Sequence, residues 1–291
     1  MSQLGLGMAA VTSRYGIGDQ AAANADSLVR CVLASGAAYV DTAAAYGDSE
    51  GALGRARAEI DRAGIRVCTK IGAGRRTQLD TLCDEARASA ARLGGAPVDT
   101  MLLHSAPLEL LDREDLSTSM GRVRALQVAR RTGASTYGSE TARAAMTKPW
   151  CDSLQIEYSI FNQQVWRDIQ SLRRPHHEIV VRSVLCKGLL TNRADDAGTL
   201  TAPIAAERRA LTALAEQWGY SLPELAMRFA LDTPGVDVVL VGVASEAEVQ
   251  TAMTAASKPP LTPEQFARLE AFDRSDLDCV HPERWTAIAS A

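Results

Sequence analysis

The chain has 291 residues, is 46% hydrophobic and 23% charged, and carries a formal net charge of -4 at pH 7. This composition excludes a disordered or fibrous protein. The small negative charge gives no basic footprint for nucleic acid, so no nucleic-acid partner is expected.

Six cysteines are spread along the chain, and no two have the spacing of a zinc or thiol–disulfide motif. The first residues lack the basic, apolar and small-residue regions of a secretory signal. No run of about 20 apolar residues long enough to cross a bilayer occurs. We therefore expect buried free thiols, a cytoplasmic location and no membrane partner.

Short apolar segments alternate with helical patterns along the chain. Strands are predicted at 4–7, 38–40, 66–70, 98–104, 134–136, 153–157, 178–183 and 236–241. A loop through Ser13, Tyr15 and Gly18 follows the first strand. Helices are predicted at 21–35, 49–58, 78–93, 116–131, 140–146, 164–172, 205–218, 223–231, 245–255 and 263–272, with Ser49 as an N-cap. Strand–helix alternation with short connections favours parallel strands and right-handed crossovers. Eight such units at this length predict one domain over 1–291, a (β/α)8 TIM barrel of the α/β class.

Four polar side chains stand at or just after the ends of three successive predicted strands. Asp41 ends the second strand and Tyr46 lies on the loop behind it. Lys70 and His104 end the third and fourth strands. The carboxyl ends of parallel barrel strands share one rim, so these four side chains are expected to converge there. Each residue taken alone also fits a structural reading, such as a cap, a loop aromatic or a solvated charge.

Asp41 and Tyr46, followed by Gly47, Ser49-Glu50 and Leu53-Gly54, resemble the signature of the aldo-keto reductase family. The resemblance extends over most of the chain and implies a catalytic tetrad of Asp41, Tyr46, Lys70 and His104. It also implies reversible hydride transfer between NADH or NADPH and the carbonyl or alcohol group of a small substrate.

The four residue types suit that chemistry. Reducing a carbonyl requires a hydride at carbon and a proton at oxygen, and a tyrosine can donate the proton, although its ordinary pKa is about 10. An ammonium beside Tyr46 favours the phenolate, so Lys70 is expected to lower this pKa. Asp41 would pair with Lys70, because a buried lone lysine is costly. His104 would hold the substrate oxygen.

Further matches to the family imply a nicotinamide site. Gly133-Ala134-Ser135-Thr136 resembles the family's Gly-x-Ser-Asn, so Ser135, Thr136 and, from the sixth strand, Gln155 would contact the carboxamide. Arg182 replaces the family's stacking tyrosine, and a planar guanidinium could also stack on the ring; a salt-bridged strand-end arginine is the alternative. Ser183, Leu185 and Gly188 would line the pyrophosphate loop.

The segment 241–245 resembles the adenosine-phosphate end of the family's site, in particular that of its sugar-dehydrogenase branch. Gly242 and Ser245 precede a helix whose N-terminal N–H groups can bind phosphate. Glu248 stands where NADPH-preferring members carry arginine. A carboxylate disfavours a 2′-phosphate and can accept from ribose hydroxyls, so NADH is favoured over NADPH; a solvated helix acid is the alternative.

The substrate implied is a carbonyl compound or a sugar-like, small hydroxylated molecule, and the oligomeric state stays open. The segment 259–291, with Arg284 and Trp285, is expected near the substrate opening by analogy with the family. A non-catalytic nicotinamide-binding subunit of a larger complex is the alternative function. A metal-dependent barrel hydrolase is a weaker one, since the chain has only four histidines.

Overall fold

A closed barrel of eight parallel strands forms the centre of the molecule, and neighbouring strands follow the order of the chain. The computed structural model describes residues 3–11, 24–72, 74–196 and 201–285. The strands are β1 (Gln3–Gly7), β2 (Tyr39–Asp41), β3 (Arg66–Ile71), β4 (Val98–Leu103), β5 (Ala129–Ser135), β6 (Ser153–Glu157), β7 (Glu178–Arg182) and β8 (Val238–Gly242). β1 pairs with both β2 and β8, which closes the barrel. The predicted (β/α)8 fold is therefore confirmed.

Helices connect the strands. They are α1 (Ala25–Ser35), α2 (Ser49–Arg55), α3 (Arg57–Ala63), α4 (Leu82–Arg92), α5 (Leu108–Leu111), α6 (Glu114–Ala125), α7 (Ser139–Met146), α8 (Gln164–Ile169), α9 (Ala205–Gln217), α10 (Leu222–Asp232), α11 (Glu246–Ser257) and α12 (Pro263–Glu270). Short 3-10 turns lie at Ala9–Val11, Gly74–Arg76, Gln170–Leu172, Cys186–Gly188, Asn192–Asp196, Ala202–Ile204, Asp278–Val280 and Pro282–Arg284. The predicted helical residues 21–23 and the loop residues Ser13, Tyr15 and Gly18 lie outside the described residues.

Local sequence signals set several helix ends. Asn24 accepts the backbone N–H of Ser27 and begins α1, and Gly36 ends it with a φ of 75° in the left-handed region. α10 and α12 each begin with a capping box, built by Ser221 with Glu224 in α10.

The apolar residues form two clusters. The larger one joins the outer face of the barrel to the helices around it. The smaller one consists of alternate strand residues, Tyr39, Cys68, Leu102, Val180, Val238 and Leu240. These residues share the inward strand face with Asp41 and Lys70, because successive side chains of a strand point to opposite sides. The interior of the barrel is therefore lined by mostly apolar residues below the rim, and the charged pair of Asp41 and Lys70 lies at the rim.

Two predicted details are wrong. The helix predicted over 116–131 ends at Ala125, and 129–131 belong to β5; Gln127, with a φ of 56°, makes the turn between them. Ser49 does not cap a helix through Ala58: its hydroxyl lies 2.5 Å from that of Thr42, and the helical segment breaks at Ala56 into α2 and α3.

The cysteines agree with the free thiols that the sequence predicts. All six cysteines are free thiols, and four of them are buried. Across the described ranges, no helix combines the length and the apolar character needed to cross a membrane.

Candidate active site

A buried ion pair joins the ends of β2 and β3. The ammonium of Lys70 lies 2.6 Å from Asp41 Oδ2 and donates to the carbonyl oxygen of Thr42 at 2.9 Å. The Lys70 side chain is 1% exposed and that of Asp41 is 7% exposed. A charge buried this deeply must be paired, and these contacts supply the partners. The predicted contact between Asp41 and Lys70 is present.

Tyr46 and His104 lie on the same rim as the ion pair. The Lys70 ammonium is 5.0 Å from the centre of the Tyr46 ring. The rings of Tyr46 and His104 meet edge to face, with centroids 5.6 Å apart and an interplanar angle of 84°. The structure therefore brings all four predicted tetrad residues together.

The loop that carries Tyr46 is fixed by backbone hydrogen bonds. The Ala44 N–H donates to the carbonyl of Lys70 at 3.0 Å, and the Tyr46 N–H donates to that of Ala43 at 2.9 Å. The Thr42–Ser49 hydroxyl pair closes the loop at its base. Tyr46 is thus tied to the strand that bears Lys70.

Burial and charge shift the pKa values of these groups. Burial alone would lower the pKa of Lys70, but the Asp41 carboxylate holds it above its ordinary value. Burial raises the pKa of Tyr46, and the positive charges of Lys70 and Arg182 oppose that rise. Lys70 was predicted to lower the pKa of Tyr46 below its ordinary value. In the protein without ligands this pKa is instead raised, because burial raises it more than the Lys70 charge lowers it.

His104 responds in the opposite way to Lys70. Burial and the neighbouring charges of Lys70 and Arg182 lower its pKa to about 4. The imidazole is therefore neutral at neutral pH, with one nitrogen as a donor and the other as an acceptor. A neutral ring can hydrogen-bond a substrate oxygen without competing with Tyr46 as a proton source.

Gln155 links the tetrad to the neighbouring strands. Its Nε2 donates to Asp41 Oδ1 at 2.9 Å, and its Oε1 accepts from the Ser135 hydroxyl at 3.2 Å. Gln155 was expected to contact a carboxamide, and the bond to Asp41 was not foreseen. Both oxygens of the Asp41 carboxylate are therefore occupied, one by Lys70 and one by Gln155.

Arg182 covers the ends of β5 and β6. Its Nη2 donates to the Thr136 carbonyl at 2.7 Å, and its Nε lies 3.5 Å from the Ser135 hydroxyl. The guanidinium stacks on the ring of Tyr137, 3.9 Å from the ring centre. The flat face of the Arg182 guanidinium therefore packs against Tyr137 of this chain. No sequence motif predicted this contact.

A cavity of about 320 Å³ continues from Arg182 towards α11. It is lined by five of the predicted cofactor residues, Ser183, Leu185, Gly188, Gly242 and Glu248. Ser183 accepts from Arg182 Nη1 at 3.3 Å, which connects the two halves of the predicted site. Ser245 caps α11 beside the cavity by accepting the Glu248 N–H at 3.3 Å.

Glu248 is held by two groups at the rim of this cavity. Its Oε2 accepts the Ala244 N–H at 2.6 Å, and its Oε1 pairs with the guanidinium of Arg193. Sequence reasoning did not single out Arg193, because no motif marks its 3-10 turn. Glu248 is thus a partly exposed acid of the first turn of α11 that has two partners within this chain.

A model of the aldo/keto reductase family matches residues 3–274 of the chain. The chain belongs to the aldo/keto reductase family. Aldo/keto reductases are NAD(P)-dependent oxidoreductases that act on small carbonyl or sugar molecules.

Solved structures of other aldo/keto reductases have the same fold. The aldo-keto reductase AKR11C1 from Bacillus halodurans, in its holo form, is 22% identical with a TM-score of 0.76, over 94% of this chain and 92% of that chain. The glycerol dehydrogenase AKR11B4 from Gluconobacter oxydans is 21% identical with a TM-score of 0.75, over 96% of this chain and 92% of that chain. No curated protein matches this chain in sequence.

The residues at the site fit the nicotinamide cofactor of an aldo/keto reductase. Thr136 is fully buried, and among the described residues its hydroxyl has no hydrogen-bond partner. A buried hydroxyl without a partner is costly, and an amide ligand beside Ser135 and Gln155 would satisfy it. The cavity beyond Ser183 offers room for the remainder of an extended molecule.

Proposed function

We propose that this protein catalyses the reversible, NAD(P)-dependent reduction of the carbonyl group of a small, sugar-like or hydroxylated substrate, with Tyr46 as proton donor. The observation that carries this proposal is the position of the Lys70 ammonium. It lies 2.6 Å from the Asp41 carboxylate and 5.0 Å from the ring of Tyr46. A paired ammonium beside a half-buried phenol is a proton-transfer arrangement more than a structural one.

Each tetrad residue has a role that follows from its surroundings. Tyr46 donates its hydroxyl proton to the oxygen of the reduced substrate, and takes it back when an alcohol is oxidised. Lys70 stabilises the phenolate that remains, and Asp41 keeps Lys70 charged and in place. Neutral His104, in ring contact with Tyr46, positions the substrate oxygen by a hydrogen bond.

The cofactor residues would hold one extended molecule. Ser135, Thr136 and Gln155 would bind the carboxamide, and Arg182 would lie at the edge of the ring. A bound nicotinamide supplies or accepts the hydride. The loop residues Ser183, Leu185 and Gly188 would contact the pyrophosphate, and Gly242, Ser245 and Glu248 would surround the adenosine end.

We infer a preference for NADH over NADPH from the adenosine end. A 2′-phosphate placed near the Glu248 carboxylate would be repelled, whereas ribose hydroxyls could donate to it. The ion pair with Arg193 weakens the repulsion but also engages the nearest guanidinium. A dinucleotide without the extra phosphate leaves this pair intact.

A hydroxylated substrate agrees with two observations. The chain shares its fold with a glycerol dehydrogenase, whose name gives a small polyol as the compound it acts on. Low aromatic content, 5% of residues, argues against a large aromatic-walled pocket. No observation on the described residues favours the alternative of a non-catalytic subunit.

The test uses the variant Tyr46→Phe, which removes only the hydroxyl. Binding of NADH and NADPH is measured by fluorescence titration, and reduction is measured with a panel of aldehydes, ketones and sugars. Cofactor affinity is expected to stay within about threefold of wild type, since hydrogen bonds to Tyr46 are not part of the cofactor site. Reduction is expected to fall by at least about 100-fold, the usual contribution of general acid catalysis.

The matched control is Tyr220→Phe, because this hydroxyl bonds the Pro259 carbonyl far from the tetrad. Tyr220→Phe is expected to reduce the same substrates as wild type. Full activity of Tyr46→Phe would refute the assignment of Tyr46 as the proton donor.

A further inference from the structure

Arg182 brings a second positive charge to the candidate active site, in addition to the ammonium of the tetrad. It ends β7, and its side chain is 16% exposed. The guanidinium donates to the Thr136 carbonyl at 2.7 Å and to the Ser183 hydroxyl at 3.3 Å. It also stacks on the ring of Tyr137, 3.9 Å from the ring centre. These contacts from three sides fix the position of the charge.

The guanidinium lies between the two halves of the proposed cofactor site. On one side its Nε is 3.5 Å from the hydroxyl of Ser135, which together with Thr136 is proposed to bind the carboxamide. On the other side it contacts Ser183, which lines the dinucleotide cavity. A nicotinamide ring held through Ser135 and Thr136 would therefore lie beside a fixed cation.

Two acids and one further cation lie near Arg182. Glu157 Oε2 is 4.0 Å from Arg182 Nη2, and burial raises the pKa of this carboxyl, which makes it a weaker anion than an exposed one. Glu283 lies 3.3 Å from His281, so part of its charge is matched there. Lys187 lines the dinucleotide cavity and adds positive charge on that side. The acids therefore offset the charge of Arg182 only in part.

The charge of Arg182 extends to the rim of the barrel, where it acts on His104. Burial lowers the pKa of His104, the charges of Lys70 and Arg182 lower it further, and the Asp41 carboxylate opposes them. Asp41 lies 2.6 Å from the Lys70 ammonium, so these two charges largely cancel at a distance. The net positive charge at the rim therefore comes from Arg182.

We propose that Arg182 makes the cofactor site select the reduced over the oxidised nicotinamide, an inference that rests on the proposed function. The nicotinamide ring is neutral in the reduced cofactor and carries one positive charge in the oxidised cofactor. A guanidinium beside the ring repels the oxidised form alone. Selectivity between two otherwise similar ligands is often built from such a repulsive element. Arg182 would thereby also speed the release of the oxidised cofactor after a carbonyl has been reduced.

A purely structural role of Arg182 leads to a different expectation. In that case the guanidinium only ties the end of β7 to the Thr136 carbonyl and to Tyr137. Its loss would then disturb the site for both redox forms of the cofactor and weaken their binding by the same factor. The ratio of the two dissociation constants, Kd of the oxidised form over Kd of the reduced form, therefore separates the two roles.

The experiment is a calorimetric titration of the purified full chain with NAD+ and NADH, repeated with NADP+ and NADPH. Arg182→Gln removes the charge and keeps an N–H donor, Arg182→Met removes both, and Arg182→Lys keeps the charge. The matched control is Arg66→Gln. Arg66 also belongs to a strand and pairs with a glutamate, Glu178, but it lies at the start of β3, at the opposite end of the barrel from the tetrad.

Arg182→Gln is expected to lower the ratio of dissociation constants about tenfold, equivalent to about 1.4 kcal/mol. Arg182→Lys and Arg66→Gln are expected to keep the ratio within about threefold of wild type. Arg182→Met decides the matter if Arg182→Gln does not fold. A ratio that stays unchanged when the charge is removed would overturn this proposal and leave the proposed reductase function standing. Absence of dinucleotide binding to wild type would overturn both.

Discussion

The charge of Lys70 can be removed by Lys70→Met, which keeps the length of the side chain. The ammonium lies 5.0 Å from the centre of the Tyr46 ring. At an effective dielectric constant near 20, two unit charges at this separation interact by about 3 kcal/mol. That energy corresponds to roughly two pKa units. Lys70→Met is therefore expected to raise the pKa of Tyr46 further, by about that amount.

The assay is the oxidation of an alcohol substrate, where Tyr46 must be a phenolate to accept the proton. Below its pKa, the phenolate fraction grows tenfold with each pH unit, so a higher pKa moves the ascending, acidic limb of kcat to higher pH. At a fixed pH below the pKa of Tyr46 in both proteins, kcat of Lys70→Met is expected to be about 100-fold lower than that of wild type.

The control removes the charge that Lys70→Met leaves behind. Asp41 would remain buried without its cationic partner, at a cost of about 3–5 kcal/mol in the free energy of unfolding. The double variant Asp41→Asn/Lys70→Met removes that charge, so it is expected to recover stability and part of kcat, since Asp41 itself raises the pKa of Tyr46. A well-folded Lys70→Met protein with an unmoved limb would refute the electrostatic role of Lys70.

Three further outcomes are expected. Glu248→Arg should raise NADPH affinity relative to NADH about tenfold or more in fluorescence titration; an unchanged ratio would remove Glu248 from the cofactor site. The pKa of His104 is lowered to about 4 in the folded protein, below its value of about 6.5 in the unfolded chain. The free energy of unfolding should therefore decline as the pH falls below about 6.5 towards 4, because the unfolded chain takes up this proton first. In His104→Gln, this decline of the free energy of unfolding should be smaller. Arg92→Met should lower the free energy of unfolding by about 1–2 kcal/mol, because buried Glu50 loses its cationic partner at 2.7 Å, whose side chain is 45% exposed, and keeps only the Thr69 hydroxyl. Arg92→Met/Glu50→Gln should restore most of this loss.

The sequence predicted the barrel and the convergence of the tetrad for a definite reason. In a parallel barrel, every strand delivers the residue at its carboxyl end to one rim, so the order of Asp41, Lys70 and His104 along the chain is enough to bring them together. Predicting this convergence requires no knowledge of individual long-range contacts.

Contacts across the barrel and between loops could not be predicted in this way. Gln155 reaches Asp41 over 114 residues of chain, and Arg193 reaches Glu248 over 55. Such pairs depend on the length of the side chains and on the path of the loops, and neither produces a periodic pattern in the sequence. The direction of the pKa shift of Tyr46 could not be predicted either. The sequence indicates that a charged residue lies near Tyr46, but it does not indicate how deeply the Tyr46 side chain is buried.

The amide of Gln155 connects two parts of the candidate site, because one end contacts Asp41 and the other contacts Ser135. If the proposed function holds, a redesign of nucleotide choice should leave this residue alone, since a change there would disturb turnover together with recognition. The proposed adenosine end, where Glu248 and Arg193 lie apart from the tetrad, would allow the two properties to be adjusted independently. Laboratory evolution for a different coenzyme would therefore find useful substitutions there first.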